Sequence, residues 1–107
     1  MVFDQGDIIE VDFDPTKGRE PQKMRPALVV SAWDFNISNS MTIVCPISSR
    51  ADSFPLHEPL PPGCCVSGCV IMEQERAIDL EARSCRKLGT LDDAALQPIL
   101  TCLRSFF

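Results

Sequence analysis

The sequence predicts an α+β fold that is mainly β: a small antiparallel β-barrel with a C-terminal α-helix packed on it. Five or six short strand-like segments follow one another at near-regular spacing, which is typical of small barrels. Only near the C-terminus does the spacing of apolar residues change from every second residue, as in a strand, to the spacing of an α-helix. A chain of 107 residues has room for one hydrophobic core. We therefore expect a single domain over residues 1–107.

The first half of the chain supplies the clearest strands. Asp7 to Phe13 alternates apolar and polar residues, the pattern of a half-buried strand. Pro26 to Ser31 and Met41 to Ile47 are short apolar runs rich in branched residues, which predicts two buried strands. Between them, Asp34-Phe35-Asn36 and Ser38-Asn39-Ser40 have the composition of turns.

The second half is less regular until its end. Four prolines make residues 53–63 an edge strand or an irregular loop, because proline cannot donate a ladder hydrogen bond. A further strand is expected over Val66 to Met72. Apolar residues then recur at helical spacing from Leu96 to the end, and Thr90 with Asp93 resembles a capping box. Pro98 falls inside this pattern, so the helix is expected to bend or to start late.

The charge is unevenly distributed. A net charge of −5 argues against broad, nonspecific nucleic-acid binding, which depends on a basic surface. However, Lys17, Arg19, Lys23 and Arg25 fall within or beside a polar loop expected over residues 14–24, which is a natural place for function. A second basic run contains Arg83, Arg86 and Lys87. These runs leave room for a local anion site on an acidic protein.

The N-terminus has neither a basic segment nor an apolar core of a signal peptide, and no segment reaches the length of a membrane span. We therefore expect a cytoplasmic protein with no membrane association, whose six cysteines are reduced thiols. His57, Cys64, Cys65 and Cys69 could be imagined as a zinc site, but they lack the usual spacing of a knuckle. No metal and no cofactor are expected.

A series of short motifs runs in order from Gly6 to Asp79. In this order and spacing they resemble the MazF/PemK family of toxins over nearly the whole chain. The motifs are Gly6-Asp7-Ile8, Asp12-Phe13-Asp14-Pro15-Thr16-Lys17-Gly18, Arg25-Pro26-Ala27-Leu28-Val29-Val30, Cys45-Pro46-Ile47-Ser48-Ser49, Gly68, a strand containing Glu73-Gln74, and Arg76-Ala77-Ile78-Asp79.

The resemblance implies an SH3-like barrel, a homodimer, and sequence-selective cleavage of single-stranded mRNA that leaves a 2′,3′-cyclic phosphate and a 5′-hydroxyl. The substrate would be RNA and not DNA. The family's catalytic arginine matches Arg25, and its catalytic threonine falls on Ser48, which keeps the hydroxyl and loses one methyl group. The resemblance also implies a cognate antitoxin, docking near the terminal helix and covering the basic loop.

Substrate contacts are also implied by the resemblance. The loop containing Lys17, Gly18 and Arg19 would close over the RNA, and Ser49, Glu73 and Gln74 would line the site. Glu73 stands where some members have an active-site aspartate, but Ile71 stands where those members carry an arginine, so their contacts are not carried over in full. Arg76 and Asp79 are expected to form structural ion pairs.

The chemistry gives these residue types a reason of its own. Attack of a ribose 2′-hydroxyl on the adjacent phosphorus loads negative charge onto the nonbridging oxygens, and a guanidinium and a hydroxyl donor would stabilise it. Arg25 and Ser48 supply both. The chain has one histidine, which excludes a two-histidine ribonuclease mechanism. We therefore hypothesise that Glu20 orients Arg25 or accepts the proton, because an arginine gives up its own proton with difficulty.

Two alternatives from other classes stay open. The same barrel could be a toxin of the CcdB type, which binds gyrase and cuts no RNA; retention of Arg25 and of a hydroxyl at Ser48 speaks against it. Alternatively the chain could be an inactive homologue that only binds an antitoxin. Ser48 in place of the family's threonine, and Ile71 in place of an arginine that some members carry, would suggest this.

Overall fold

The computed structural model describes residues 1–13, 24–52 and 55–107. Seven strands and two helices are present in these ranges, with 3₁₀ turns at Met72–Gln74 and Leu80–Ala82. The elements are β1 (Asp7–Asp12), β2 (Met24–Val29), α1 (Trp33–Ser38), β3 (Met41–Ser48), β4 (His57–Pro59), β5 (Cys69–Ile71), β6 (Arg76–Asp79), β7 (Cys85–Thr90) and α2 (Asp93–Arg104).

The strands form one antiparallel sheet in the order β4-β5-β3-β2-β1-β7, with β6 also paired to β3. β3 is the central strand because one of its edges pairs with β2, while its other edge pairs with β6 over Met41–Val44 and with β5 at Ile47 and Ser48. The pairing of the described strands does not close into a ring. A mainly β fold with one C-terminal helix was predicted, and that prediction is confirmed.

The sheet has a core on each of its faces. Ile8 lies in a cluster that receives α2, and its neighbour Ile9 lies in a second cluster on the opposite face. β1 is therefore buried on both sides at its start, where the alternation predicted a half-buried strand. α2 contributes four residues to the cluster that contains Ile8, and the helical spacing predicted all of them: Leu96, Ile99, Leu100 and Leu103.

The terminal helix is regular through Pro98, which lies on its exposed face. The residue that caps the helix is Asp92, whose carboxylate accepts a hydrogen bond from the Ala95 N–H at 2.9 Å. The predicted capping by Thr90 was therefore wrong: Thr90 instead ends β7 and donates its hydroxyl proton to Asp7 at 3.3 Å. An aspartate preceding the first turn satisfies the same free backbone donors.

Turns were predicted between β2 and β3, but the structure has the short helix α1 there. Asn36, which the sequence suggested as a turn residue, is buried and donates its amide protons to the carbonyl oxygens of Phe3 and Ser31. The Ser31 hydroxyl also hydrogen-bonds the Asn36 side-chain oxygen and accepts from the Ile43 N–H at 2.9 Å. These buried contacts override the local turn preference.

Two expectations about the segment after β5 were wrong. Glu73 and Gln74 lie in a 3₁₀ turn and not in a strand. Arg76 and Asp79 form no ion pair with the described residues: the Arg76 guanidinium lies 5.2 Å from the centre of the Phe13 ring, and the Asp79 carboxylate accepts from the Glu81 N–H. β6 is instead fixed by its pairing with β3.

Among residues 1–13, 24–52 and 55–107, no helix is long and apolar enough to cross a membrane.

Candidate active site

A large open cavity lies where β2, the end of β3 and the segment around β5 and β6 meet. Its volume is about 1060 Å³. Arg25 and Ser48, which the sequence predicted as catalytic, both line it, as do Ser49 and Gln74. Side chains from distant parts of the chain therefore meet here.

Arg25 lines the cavity from the start of β2, where it is the second residue of the strand. It pairs with Val11 in the ladder with β1, so its backbone position is fixed. Its side chain is exposed and forms no hydrogen bond or ion pair with the described residues. Pro26 follows it and cannot donate a ladder hydrogen bond. The result is an arginine with a fixed backbone position, whose five N–H donors have no partner among the described residues and can bind a ligand.

Ser48 is the last residue of β3 and is partly buried. Its hydroxyl oxygen accepts a hydrogen bond from the Arg50 N–H at 3.2 Å. Within the described part of the chain, its proton has no acceptor. The local turn that a serine at a strand end favours thus fixes the oxygen and leaves the hydroxyl able to donate to a group in the cavity.

Gly68 presses against the backbone of Ser48. Its φ is +127°, and a Cβ atom built on it would lie 2.5 Å from the Ser48 carbonyl oxygen and 3.0 Å from the Ser49 Cα. Only a residue without a side chain fits this approach. Gly68 therefore helps to set the position of Ser48, and its place among the motifs of the sequence has a structural reason.

His57, on the edge strand β4, also lines the cavity. Its Nε2 lies 2.8 Å from the Glu73 Oε2, and its Nδ1 lies 3.2 Å from the Asp52 carbonyl oxygen. The hydrogen bond from His57 lowers the pKa of the Glu73 carboxyl, which is consequently ionised. Sequence reasoning considered His57 only as a metal ligand, because the register of β4 against β5 that brings it near Glu73 is not visible in the sequence.

The cavity is cationic although the protein as a whole is acidic. Among the described residues, Arg25, Arg50 and Arg76 line it, against one carboxylate, that of Glu75. A phosphate group entering the cavity would therefore meet an excess of positive charge.

The side chains of the second basic run form contacts within the fold. Arg86 pairs with Glu10 at 2.9 Å, and Lys87 pairs with Asp7 at 3.2 Å. Arg83 donates to the carbonyl oxygens of Asp12, Phe13 and Asp79, thereby holding the end of β1.

The cysteines are all free thiols. Burial raises the pKa of Cys45 to about 12, with a further contribution from the negative charges of Glu75 and Glu73, so this thiol is protonated and unreactive. Cys69 donates to the Ala51 carbonyl oxygen at 3.5 Å. No group of three or more side chains placed to hold a metal ion occurs in the described ranges.

Comparison with known proteins places this geometry in a family. The family model of the PemK-like, MazF-like toxin of type II toxin-antitoxin systems matches residues 4–107. The chain belongs to this family of toxins. The predicted resemblance to the MazF/PemK toxins is therefore confirmed.

Relatives with known names support the assignment over the full length. The chain is 37% identical over 98 residues to the endoribonuclease toxin MazF of Escherichia coli strain K12, covering 92% of this chain and 87% of the relative. It is 36% identical over 115 residues to the endoribonuclease toxin ChpB of the same strain, covering 96% and 92%. MazF of Deinococcus radiodurans superposes with a TM-score of 0.84 at 31% identity, covering 99% and 96%.

Four of the site residues predicted for this MazF-like chain lie outside the described residues: Lys17, Gly18, Arg19 and the hypothesised proton acceptor Glu20. The structure brings Arg25, Ser48, Ser49 and Gln74 to one cavity. Glu73 does not line that cavity, and its carboxylate contacts His57 instead.

Proposed function

We propose that this protein is a metal-independent endoribonuclease toxin that cuts single-stranded mRNA at selected sequences. One observation carries the proposal: the guanidinium of Arg25 and the hydroxyl of Ser48 line the same cationic cavity. The relatives named as endoribonuclease toxins support the class of reaction.

The chemistry follows from what these two groups can do. The ribose 2′-hydroxyl attacks the adjacent phosphorus, the bond to the 5′ oxygen of the next nucleotide breaks, and the products carry a 2′,3′-cyclic phosphate and a 5′-hydroxyl. Negative charge on the nonbridging oxygens grows in the transition state, and Arg25 and Ser48 donate hydrogen bonds to them. DNA lacks the attacking hydroxyl and is not a substrate.

Proton transfer needs a further group, since the 2′-hydroxyl must lose a proton and the leaving oxygen must gain one. Glu20, the carboxylate nearest to Arg25 in the sequence, is our candidate for accepting the proton or orienting Arg25. Lys17, Gly18 and Arg19 are our candidates for contacts with the phosphates of the RNA strand.

The cavity also has surfaces suited to nucleobases. Phe13, Pro26 and Ile71 supply apolar lining, against which unpaired bases can pack. Ser49 and Gln74 are exposed at the cavity and can form hydrogen bonds with base edges. Single-stranded RNA exposes both the faces and the edges of its bases, so such a cavity favours it over a duplex.

The partners follow from the same family. We propose that the protein acts in the cytoplasm as a homodimer and is neutralised by a cognate antitoxin. A MazF of Deinococcus radiodurans, solved together with MazE, superposes on this chain with a TM-score of 0.84 at 28% identity. An antitoxin segment that is acidic and partly apolar would complement the cationic cavity.

The test is incubation of purified, antitoxin-free protein with a long RNA in the presence of EDTA, followed by mapping of the fragment ends. We expect discrete cuts with 2′,3′-cyclic phosphate and 5′-hydroxyl ends. Intact RNA from a folded protein would favour the gyrase-binding or the inactive antitoxin-binding alternative. Cleavage that requires a divalent ion would refute metal independence.

Two substitutions of Ser48 sharpen the result. Ser48→Ala removes the hydroxyl donor and is expected to lower kcat by about 10- to 100-fold, whereas Ser48→Thr keeps the donor and should retain activity. Ser49→Ala is the neighbouring control and is expected to affect KM more than kcat. Equal activity of wild type and Ser48→Ala would exclude the hydroxyl from the transition state.

A further inference from the structure

His57 connects three segments that surround the cavity. It belongs to β4, its Nδ1 faces the Asp52 carbonyl oxygen in the segment after β3, and its Nε2 faces Glu73 in the 3₁₀ turn that also carries Gln74. The segment after β3 follows directly on Ser48, the last residue of that strand. One imidazole therefore joins the strand end that carries Ser48 to the turn that carries Gln74.

The hydrogen-bond partners specify which protons the ring carries. A backbone carbonyl oxygen can only accept, so Nδ1 must be protonated for that contact to be a hydrogen bond. An ionised carboxylate also only accepts, so Nε2 must be protonated as well. The two contacts are hydrogen bonds at the same time only if the imidazole is doubly protonated. The His57 side chain is 12% exposed.

Glu73 is placed to support this cation. Its side chain is 39% exposed, and the oxygen that faces His57 is at 2.8 Å, the distance of a strong charge-assisted hydrogen bond. Glu73 is not among the residues that line the cavity, whereas His57 is. A direct contact of Glu73 with substrate is thus less well supported than an action through His57.

We propose that His57 is a positioning residue for RNA cleavage: held as an imidazolium between Asp52 and Glu73, it fixes the cavity wall between Ser48 and Gln74, and Glu73 acts on the reaction through it. Small displacements of reacting groups lower rates strongly. The inference rests on the proposed function, because the reaction that it concerns is RNA cleavage.

A double-mutant cycle with His57→Phe and Glu73→Ala tests the coupling. Each single variant is expected to lower kcat about tenfold, with KM nearly unchanged, and the double variant is expected to be no slower than either one. Glu58→Ala, which removes an exposed carboxylate beside His57 on the same strand, is the control and should cleave like wild type. Multiplicative losses in the double variant, or an effect of Glu73→Ala on KM alone, would overturn the proposal.

A second measurement does not depend on cleavage. The chain has one histidine, so the ¹⁵N signals of its imidazole are unambiguous in the intact protein. We expect both ring nitrogens to be protonated in wild type at the pH of the assay. A spectrum in which either ring nitrogen is unprotonated would refute the proposed contacts of His57 with Asp52 and Glu73. A wild type that shows the imidazolium but leaves RNA intact would refute the proposed function, and the contacts of His57 would then be a feature of the fold only.

Discussion

Replacing Arg25 by alanine is expected to lower kcat for RNA cleavage by about 100- to 1000-fold, the usual effect of removing a donor aimed at transition-state charge. The backbone of Arg25 is fixed in the β2 ladder, and its guanidinium has no partner among the described residues, so its donors are available to the phosphate. Arg25→Lys keeps the charge and loses the planar pair of donors. Its kcat should lie between those of wild type and Arg25→Ala. Single-turnover cleavage of a defined RNA measures both.

The matched control is Arg86→Ala. Arg86 is an exposed residue of β7 and pairs with Glu10 of β1. β7 lies at the opposite edge of the sheet from β4. The Arg86→Ala variant should retain the kcat of wild type. A similar loss in both variants would point to a general effect of charge on RNA binding, and an unchanged kcat in Arg25→Ala would remove Arg25 from the mechanism.

The second large effect is expected from Gly68→Ala. A Cβ at this position would lie 2.5 Å from the Ser48 carbonyl oxygen, and the φ of +127° is strained for any side chain. We expect the free energy of unfolding to fall by roughly 2–5 kcal/mol. In the fraction that folds, displacement of Ser48 should lower kcat by at least about tenfold. Urea unfolding and single-turnover cleavage measure the two effects separately.

Gly63→Ala provides the comparison for this variant. Gly63 also has a positive φ, +85°, but a Cβ there would contact nothing within 4 Å. It should lose only roughly 1–2 kcal/mol of stability from backbone strain and keep its kcat. If the two variants behave alike, the close approach of Gly68 to Ser48 does not matter for the reaction.

Much of the fold could be predicted from local patterns. The alternation in β1, the apolar runs of β2 and β3, and the spacing of Leu96, Ile99, Leu100 and Leu103 each reflect burial, which the residue types themselves determine. The errors arose where tertiary contacts outweigh local preference. Asn36 has turn chemistry, yet its buried hydrogen bonds place it in a helix.

The site was predictable only in part. Arg25 and Ser48 could be found because they stand in motifs with a fixed order, and the structure brings both to one cavity. The contact between His57 and Glu73 could not be predicted, because residues 16 positions apart meet only through the pairing of β4 with β5. A lone histidine beside cysteines favours a metal hypothesis, whereas the register of an edge strand has no sequence signature.

The central claim, transesterification by the ribose 2′-hydroxyl in this cavity, is tested most directly on an RNA oligonucleotide containing one mapped cleavage site. A single 2′-deoxy substitution at the nucleotide before the cut removes the attacking group and changes little else. With EDTA present, we predict cleavage of the all-ribose strand to a 2′,3′-cyclic phosphate and no cleavage at the substituted position. Cleavage of both strands at equal rates would contradict the account, because a water molecule and not the ribose would then be the nucleophile.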